Sequence, residues 1–207
     1  MGPRWSPNGQ SIAFVAFPQQ NEGLFVVSAN GGSPRCLTTH PAEGGWPYWS
    51  HDSKWLYFRS SRTGRNEIWK MPSSGGEAVQ ITQNGGDFPQ ESPDGKFVYY
   101  EKGWPSLCSV WRIPVTGGEE TRVLEPVHPS GKWAVGKEGI YFFSRSGKGK
   151  DKEISFYEFA TAETTKVLTI KDCHPVAYIA VSPDGRTILY PQVDQVGSDL
   201  MLVENFR

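Results

Sequence analysis

Four histidines (His40, His51, His128 and His174) and three cysteines (Cys36, Cys108 and Cys173) are the side chains best suited to metal ligation or nucleophilic attack. Their arrangement supports neither. The cysteines are odd in number and far apart, with no CxxC pair, so free thiols are expected in place of a disulfide framework or a zinc cluster. Asp172-Cys173-His174 sets a thiol beside a base, but neighbouring residues of a strand point to opposite faces. There is no G-x-S-x-G elbow, HExxH or Gly-rich phosphate loop, and nothing in the spacing of Ser, His and Asp assembles a triad. Asp94 and Asp184 sit in "SPDG" turns, one acidic side chain each, whereas a calcium loop clusters several oxygens. No catalytic residue, metal ligand or cofactor is predicted.

The same turn explains what positions everything else. "SPNGQSIAF" begins at Ser6, "SHDSKWLYF" at Ser50, "SPDGKFVYY" at Ser92 and "SPDGRTILY" at Ser182, at intervals of 44, 42 and 90 residues. A degenerate copy, "GKEG" at Gly136–Gly139, divides the long interval into 44 and 46. In the turn, Pro presets φ, Asp accepts backbone N–H bonds, and Gly95 or Gly185 takes the position of positive φ. Around it each unit reads as four short strands rich in β-branched and aromatic residues, with a Gly-Gly turn at 31–32, 75–76 and 117–118. Four antiparallel strands per ~40 residues, repeated, predict an all-β β-propeller of about five blades. One domain spans 1–207, with units at 3–38, 47–82, 89–125, 133–170 and 177–206. The last blade lacks a fourth strand, which predicts a piece of a larger propeller with an open edge near Asp199–Phe206 and the first unit.

Composition narrows the partners. Twenty-one Lys and Arg against 22 Asp and Glu leave a net charge of −1, so nothing favours nucleic acid or an anionic surface. No apolar run approaches the ~20 residues that cross a bilayer, and the start carries no signal-sequence pattern. The mixed-charge stretch Ser146–Glu153 reads as a solvated hairpin tip. His40, His128 and His174 lie in connections at one end of the repeats, where they could share a rim as solvent-exposed loop residues.

Aromatic residues follow the period. Trp5 and Trp49 share the position before the turn, as Val135 and Val181 do, and are expected to fill the space between blades; Trp69 and Trp111 match on the third strand. The third unit breaks the pattern by placing Glu91 there. A carboxylate among apolar neighbours must be bonded, paired or wet. Arg59 and Arg62 are candidate partners, which would make Glu91 an inter-blade ion pair. Alternatively Glu91 anchors a binding rim at the channel, with Trp46, Tyr48, Asp87, Phe88 and Arg59 around it.

The stretch Pro47–Thr82, "PYWSHDSKWLYFRSSRTGRNEIWKMPSSGGEAVQIT", resembles the TolB-type, WD-like (PD-type) propeller repeat, of form P-x-W-S-P-D-G-x-x-I-x-F…I-W…G-G…L-T. The resemblance covers essentially the whole chain and is weakest in the fourth unit. The ending "GSDLMLVENFR" is similar to the C-terminus of large bacterial proteins, notably acidobacterial ones, that carry an N-terminal winged-helix or kinase domain. The resemblance implies a bacterial sensing or interaction module and leans towards the periplasm over the cytoplasm. The expected function is non-enzymatic binding of a protein, peptide or small ligand at the channel mouth, with self-association through the open blade edge. The alternatives are the gating propeller of a prolyl-oligopeptidase-like serine peptidase and a metal-dependent propeller hydrolase or lactonase.

Overall fold

Each repeat is organised from its turn outward. Ser92 Oγ donates to Asp94 Oδ1 (2.6 Å) and accepts from the Phe97 N–H (3.0 Å), while Asp94 Oδ1 also accepts from the Lys96 N–H (3.1 Å). Ser50 and Asp52 repeat this network, and Asn8 replaces the carboxylate in the first unit with the same bonds to Ser6 Oγ and the Gln10 N–H. Gly9, Gly95 and Gly185 have φ near 70°, and Ser53, standing where the others have Gly, is held at 63°. The side-chain bonds close the turn before the ladder begins, which fixes strand register.

The computed structural model describes residues 2–17, 23–38, 43–103, 108–127, 132–144, 151–171, 178–182 and 185–190. Blade 1 contains β1 (Arg4–Trp5), β2 (Ser11–Ala16), β3 (Gly23–Ser28) and β4 (Arg35–Cys36). Blade 2 contains β5 (Glu43–Trp49), β6 (Trp55–Ser60), β7 (Glu67–Pro72) and β8 (Val79–Gln80). Blade 3 contains β9 (Asp87–Glu91), β10 (Phe97–Lys102), β11 (Cys108–Pro114) and β12 (Thr121–Val127). Blade 4 contains β13 (Trp133–Val135), β14 (Gly139–Ser144), β15 (Lys152–Glu158) and β16 (Thr164–Ile170). Of blade 5, β17 (Ala180–Val181) and β18 (Ile188–Leu189) are described; the third strand expected at Asp199–Phe206 lies outside the described residues. All pairings are antiparallel between neighbours in sequence. No helix among the described residues is long and apolar enough to cross a membrane.

The core lies between blades. Ala13, Leu24 and Val26 of blade 1 meet Trp49, Leu56, Phe58, Trp69 and Met71 of blade 2. Tyr57, Ile68 and Ile81 of blade 2 meet Val98, Tyr100 and Ile113 of blade 3. Blades 3 and 4 join around Tyr99, Val110, Trp133 and Ile140, and blades 4 and 5 around Phe143, Ile154 and Ile179. Polar side chains reinforce these seams: Trp49 Nε1 donates to the Arg4 carbonyl (2.9 Å), and Gln90 donates to the Trp133 carbonyl (2.9 Å) while accepting from the Val135 N–H (3.1 Å). Trp49 is 5% exposed, as its repeat position predicts, but Trp5 is 59% exposed. The difference has a simple cause: Trp49 faces the preceding blade, and no described residue packs a blade against the corresponding side of blade 1.

Candidate functional site

Residues two to four positions ahead of the turn serine converge from four repeats. Positions 2–4, 46–48, 88–90 and 178–180, with Leu189 and Tyr190, line one cavity of about 370 Å3. Repeat-equivalent positions at or beside the first strands β1, β5, β9 and β17 can meet only around the common axis, so the cavity is the channel of the propeller.

Its wall is aromatic by construction. In blade 2, Gly45 pairs with Arg59 and Tyr48 with Tyr57, so Trp46 and Pro47 stand opposite Phe58 alone. In blade 3, Asp87 pairs with Glu101 and Gln90 with Tyr99, so Phe88 and Pro89 stand opposite Tyr100 alone. Each is a β-bulge, where a strand can accommodate a proline and re-aim a side chain. Trp46 and Phe88 take φ of 56° and 53° at these bulges, a backbone region that bulky side chains avoid. The result brings the Trp46 ring within 4.4 Å of Phe88 and 6.0 Å of Tyr178, centroid to centroid. Beside them the Arg4 guanidinium lies 5.6 Å from the Tyr48 ring centroid. Burial pushes the Tyr48 phenol up, Arg4 opposing and Glu91 adding to it. The cavity is thus an apolar, ring-lined cup with Arg4, Gln90 and tyrosine hydroxyls as its polar groups, and among its lining residues only Arg4 carries a fixed charge.

Of the six residues singled out for the rim, Trp46, Tyr48 and Phe88 line this cup. Arg59 and Asp87 lie one step away and pair with each other between blades 2 and 3 (3.5 Å), with Asn66 Nδ2 3.4 Å from the second carboxylate oxygen. Burial raises the Asp87 carboxyl above its ordinary value despite the opposing Arg59 charge. Glu91 is not among the lining residues, and its partners are not the arginines. It accepts from the His51 N–H (2.9 Å) in the turn of blade 2 and hydrogen-bonds the Tyr57 phenol. That phenol is pushed up first by burial and then by Glu91. Arg62 is directed to the opposite face of blade 2, over the Trp69 ring (4.2 Å), and therefore cannot serve Glu91. The inter-blade position does hold a bonded carboxylate, but the bonds go to a backbone amide and a phenol.

Pro3, Arg4, Gln90, Tyr178 and Tyr190 belong to the cup without having been singled out from the sequence. The repeat register could have found all but Tyr190, since the others occupy positions equivalent to Trp46, Pro47 and Tyr48. The buried carboxylates Glu67 and Glu101 are engaged elsewhere. Glu67 accepts from Thr82 Oγ1 (2.6 Å), the Gly85 N–H and Arg65 Nε (2.9 Å), and Glu101 accepts from Trp133 Nε1 (3.2 Å). Cys36 is exposed, and Cys108 is a buried thiol pushed up by burial and then by Glu101. His51 is exposed in its turn; His40, His128, His174, Asp172, Cys173 and Asp184 lie outside the described residues. Among the described residues no group of three His, Cys, Asp or Glu is placed to hold a metal ion.

Known proteins share this architecture. An uncharacterized protein of Agrobacterium fabrum is 34% identical over 80 residues, which is 39% of this chain and 27% of that protein. The crystal structure of TolB from Acinetobacter baumannii is similar with a TM-score of 0.73 at 20% identity, over 91% of this chain and 47% of that one. A structure of prolyl endopeptidases is similar with a TM-score of 0.62 at 17% identity, over 100% of this chain and 37% of that one. The chain therefore spans about a quarter of its Agrobacterium relative and about half of the Acinetobacter TolB chain. At these identities the two structural likenesses speak for the fold alone. Residues 1–125 match the PD40 family, described as the TolB beta propeller domain, and this chain belongs to that family.

Proposed function

We propose that this propeller is a non-enzymatic binding or sensing module of a larger bacterial regulatory protein, and that its axial cup takes a protein segment, peptide or small ligand. One observation carries the reading: Trp46 and Phe88 are both held in the left-handed region at matching bulges, with their rings at the axis. Strain of roughly 1–3 kcal/mol per residue persists only where something over-determines it. Two bulges spending it on the same cup fits a site that presents aromatic surface. A fluorescence-monitored screen of peptides and small molecules against the purified chain tests this. Trp46→Ala and Phe88→Ala should each weaken a hit about tenfold or more, while Trp5→Ala leaves it unchanged. Hits that ignore both cup substitutions would remove the cavity from the function.

A second reading is the gating propeller of a prolyl-oligopeptidase-like serine peptidase, since prolyl endopeptidases contain a similar fold. It requires a hydrolase domain encoded beside the propeller, which the sequence of the parent gene decides.

A further inference from the structure

Behind the cup an ion pair joins the two bulges that aim its rings. Positions 45 and 87 are equivalent in the repeat, each directly before a strained aromatic residue, Trp46 in blade 2 and Phe88 in blade 3. The first is glycine and the second aspartate. Arg59 of β6, the register partner of Gly45, lies across that glycine: a Cβ there would stand 2.7 Å from Arg59 Nε and 2.9 Å from Nη2. So seated, the guanidinium reaches Asp87 Oδ1 at 3.5 Å, with both side chains largely out of water. A second glycine serves the other end of the pair. A Cβ at Gly86, just before Asp87, would stand 2.8 Å from Ile68 Cγ1 and 3.1 Å from Tyr100 Cδ2, so the chain entering β9 closes tightly on β7. One contact between side chains therefore links the backbone beside Trp46 to the backbone beside Phe88, whose rings meet at 4.4 Å.

We propose that Arg59 and Asp87 are the positioning residues of the cup: their ion pair holds the two bulges in step and sets the Trp46–Phe88 ring contact, so that losing the pair reshapes the cup. This deepens the binding reading above and rests on it for its use. The surroundings of Asp87 make the pair a point of control. Asn66 Nδ2 lies 3.4 Å from its second carboxylate oxygen, Glu101 is its register partner across the sheet, and the Cys108 thiol feels both carboxylates. Burial raises the Asp87 carboxyl above its ordinary value of 3.8, with Arg59 and Asn66 opposing and Glu101 adding. The pair is therefore lost as pH falls through a value higher than that of an exposed aspartate. Because the folded value lies above the unfolded one, this protonation favours the folded chain, so the cup changes shape in acid without unfolding on that account.

Fluorine NMR of the whole chain labelled with fluorotryptophan tests the proposal at the ring itself. The Trp46 resonance is the one missing in Trp46→Phe, and Phe88→Ala shows where it moves once the neighbouring ring is gone. Asp87→Asn, which keeps the size and removes the charge, should shift the Trp46 resonance towards its Phe88→Ala position at neutral pH and leave that of Trp5 in place. In the wild type the same shift should develop as pH falls, and in Asp87→Asn it should be absent. Gly45→Ala keeps both charges and displaces the guanidinium, so it should reproduce the neutral-pH shift, and it decides the matter if Asp87→Asn does not fold. A Trp46 resonance that stays at its wild-type place in folded Asp87→Asn or in Gly45→Ala, or that moves with pH equally in wild type and Asp87→Asn, overturns the proposal. No ligand enters the measurement. An empty binding screen therefore removes the cup's function and leaves the pair's hold on the rings, whereas an unmoved resonance removes the pair's role and leaves the screen standing.

Discussion

Replacing Trp46 by alanine and by glycine gives two proteins that have both lost the indole, so their difference isolates the backbone. With φ at 56°, a residue bearing a Cβ is strained by about 1–2 kcal/mol. Glycine is free of that strain but loses about 0.5–1 kcal/mol through its greater unfolded-state freedom. The balance leaves Trp46→Gly more stable than Trp46→Ala by about 0.5–1 kcal/mol, or roughly 2–4 °C in Tm for each kcal/mol in a chain of this length. Tyr48, two residues on and not in the left-handed region, is the control. There the usual order holds, and Tyr48→Gly should melt below Tyr48→Ala. Circular dichroism melts of the four proteins measure both differences. If glycine falls below alanine at 46 as it does at 48, Trp46 is unstrained, and the argument that the bulges hold their rings at a cost fails.

The same repeat position should respond in opposite ways in two blades. Trp49→Ala removes a ring that is 5% exposed and should cost about 3–5 kcal/mol, whereas Trp5→Ala, 59% exposed, should stay within about 1 kcal/mol by denaturant titration of the dilute protein. Asp94→Ala breaks the bonds to Ser92 Oγ and the Lys96 N–H and should cost about 1 kcal/mol at neutral pH, while Asp94→Asn, which copies Asn8, should be close to wild type. The Ser92 hydroxyl, followed by the Lys96 N–H, holds the Asp94 carboxyl below its ordinary value of 3.8. Its contribution is therefore complete above that value and lost as pH falls through the lowered folded value. Melts across that acid range should slope for wild type more than for Asp94→Asn, and equal slopes would show that the turn aspartate is unperturbed.

The turn was fully legible because its chemistry is local. Ser92, Asp94 and Gly95 are within four residues of one another, and their bonds need nothing from the rest of the chain. Strand order followed from the same period. Glu91 was only half legible: its departure from the tryptophan pattern announced a bonded carboxylate, but the choice between Arg59, Arg62 and the His51 N–H depends on which face of blade 2 each group occupies. The cup was similar. Trp46, Tyr48 and Phe88 could be selected as aromatic residues ahead of a turn, whereas Tyr190, directly after the second strand of a blade distant in sequence, enters the wall only through blade placement.

From its own residues the chain determines repeated turns, alternating apolar strands and an inter-blade core, since these depend on contacts a few residues apart and on side chains with one buried face. Tertiary packing decides which copy of a repeated residue is covered and where a bulge points its ring. Trp5 and Trp49 are identical in type and local setting, yet one is exposed and the other enclosed, because burial belongs to the neighbouring blade and not to the residue.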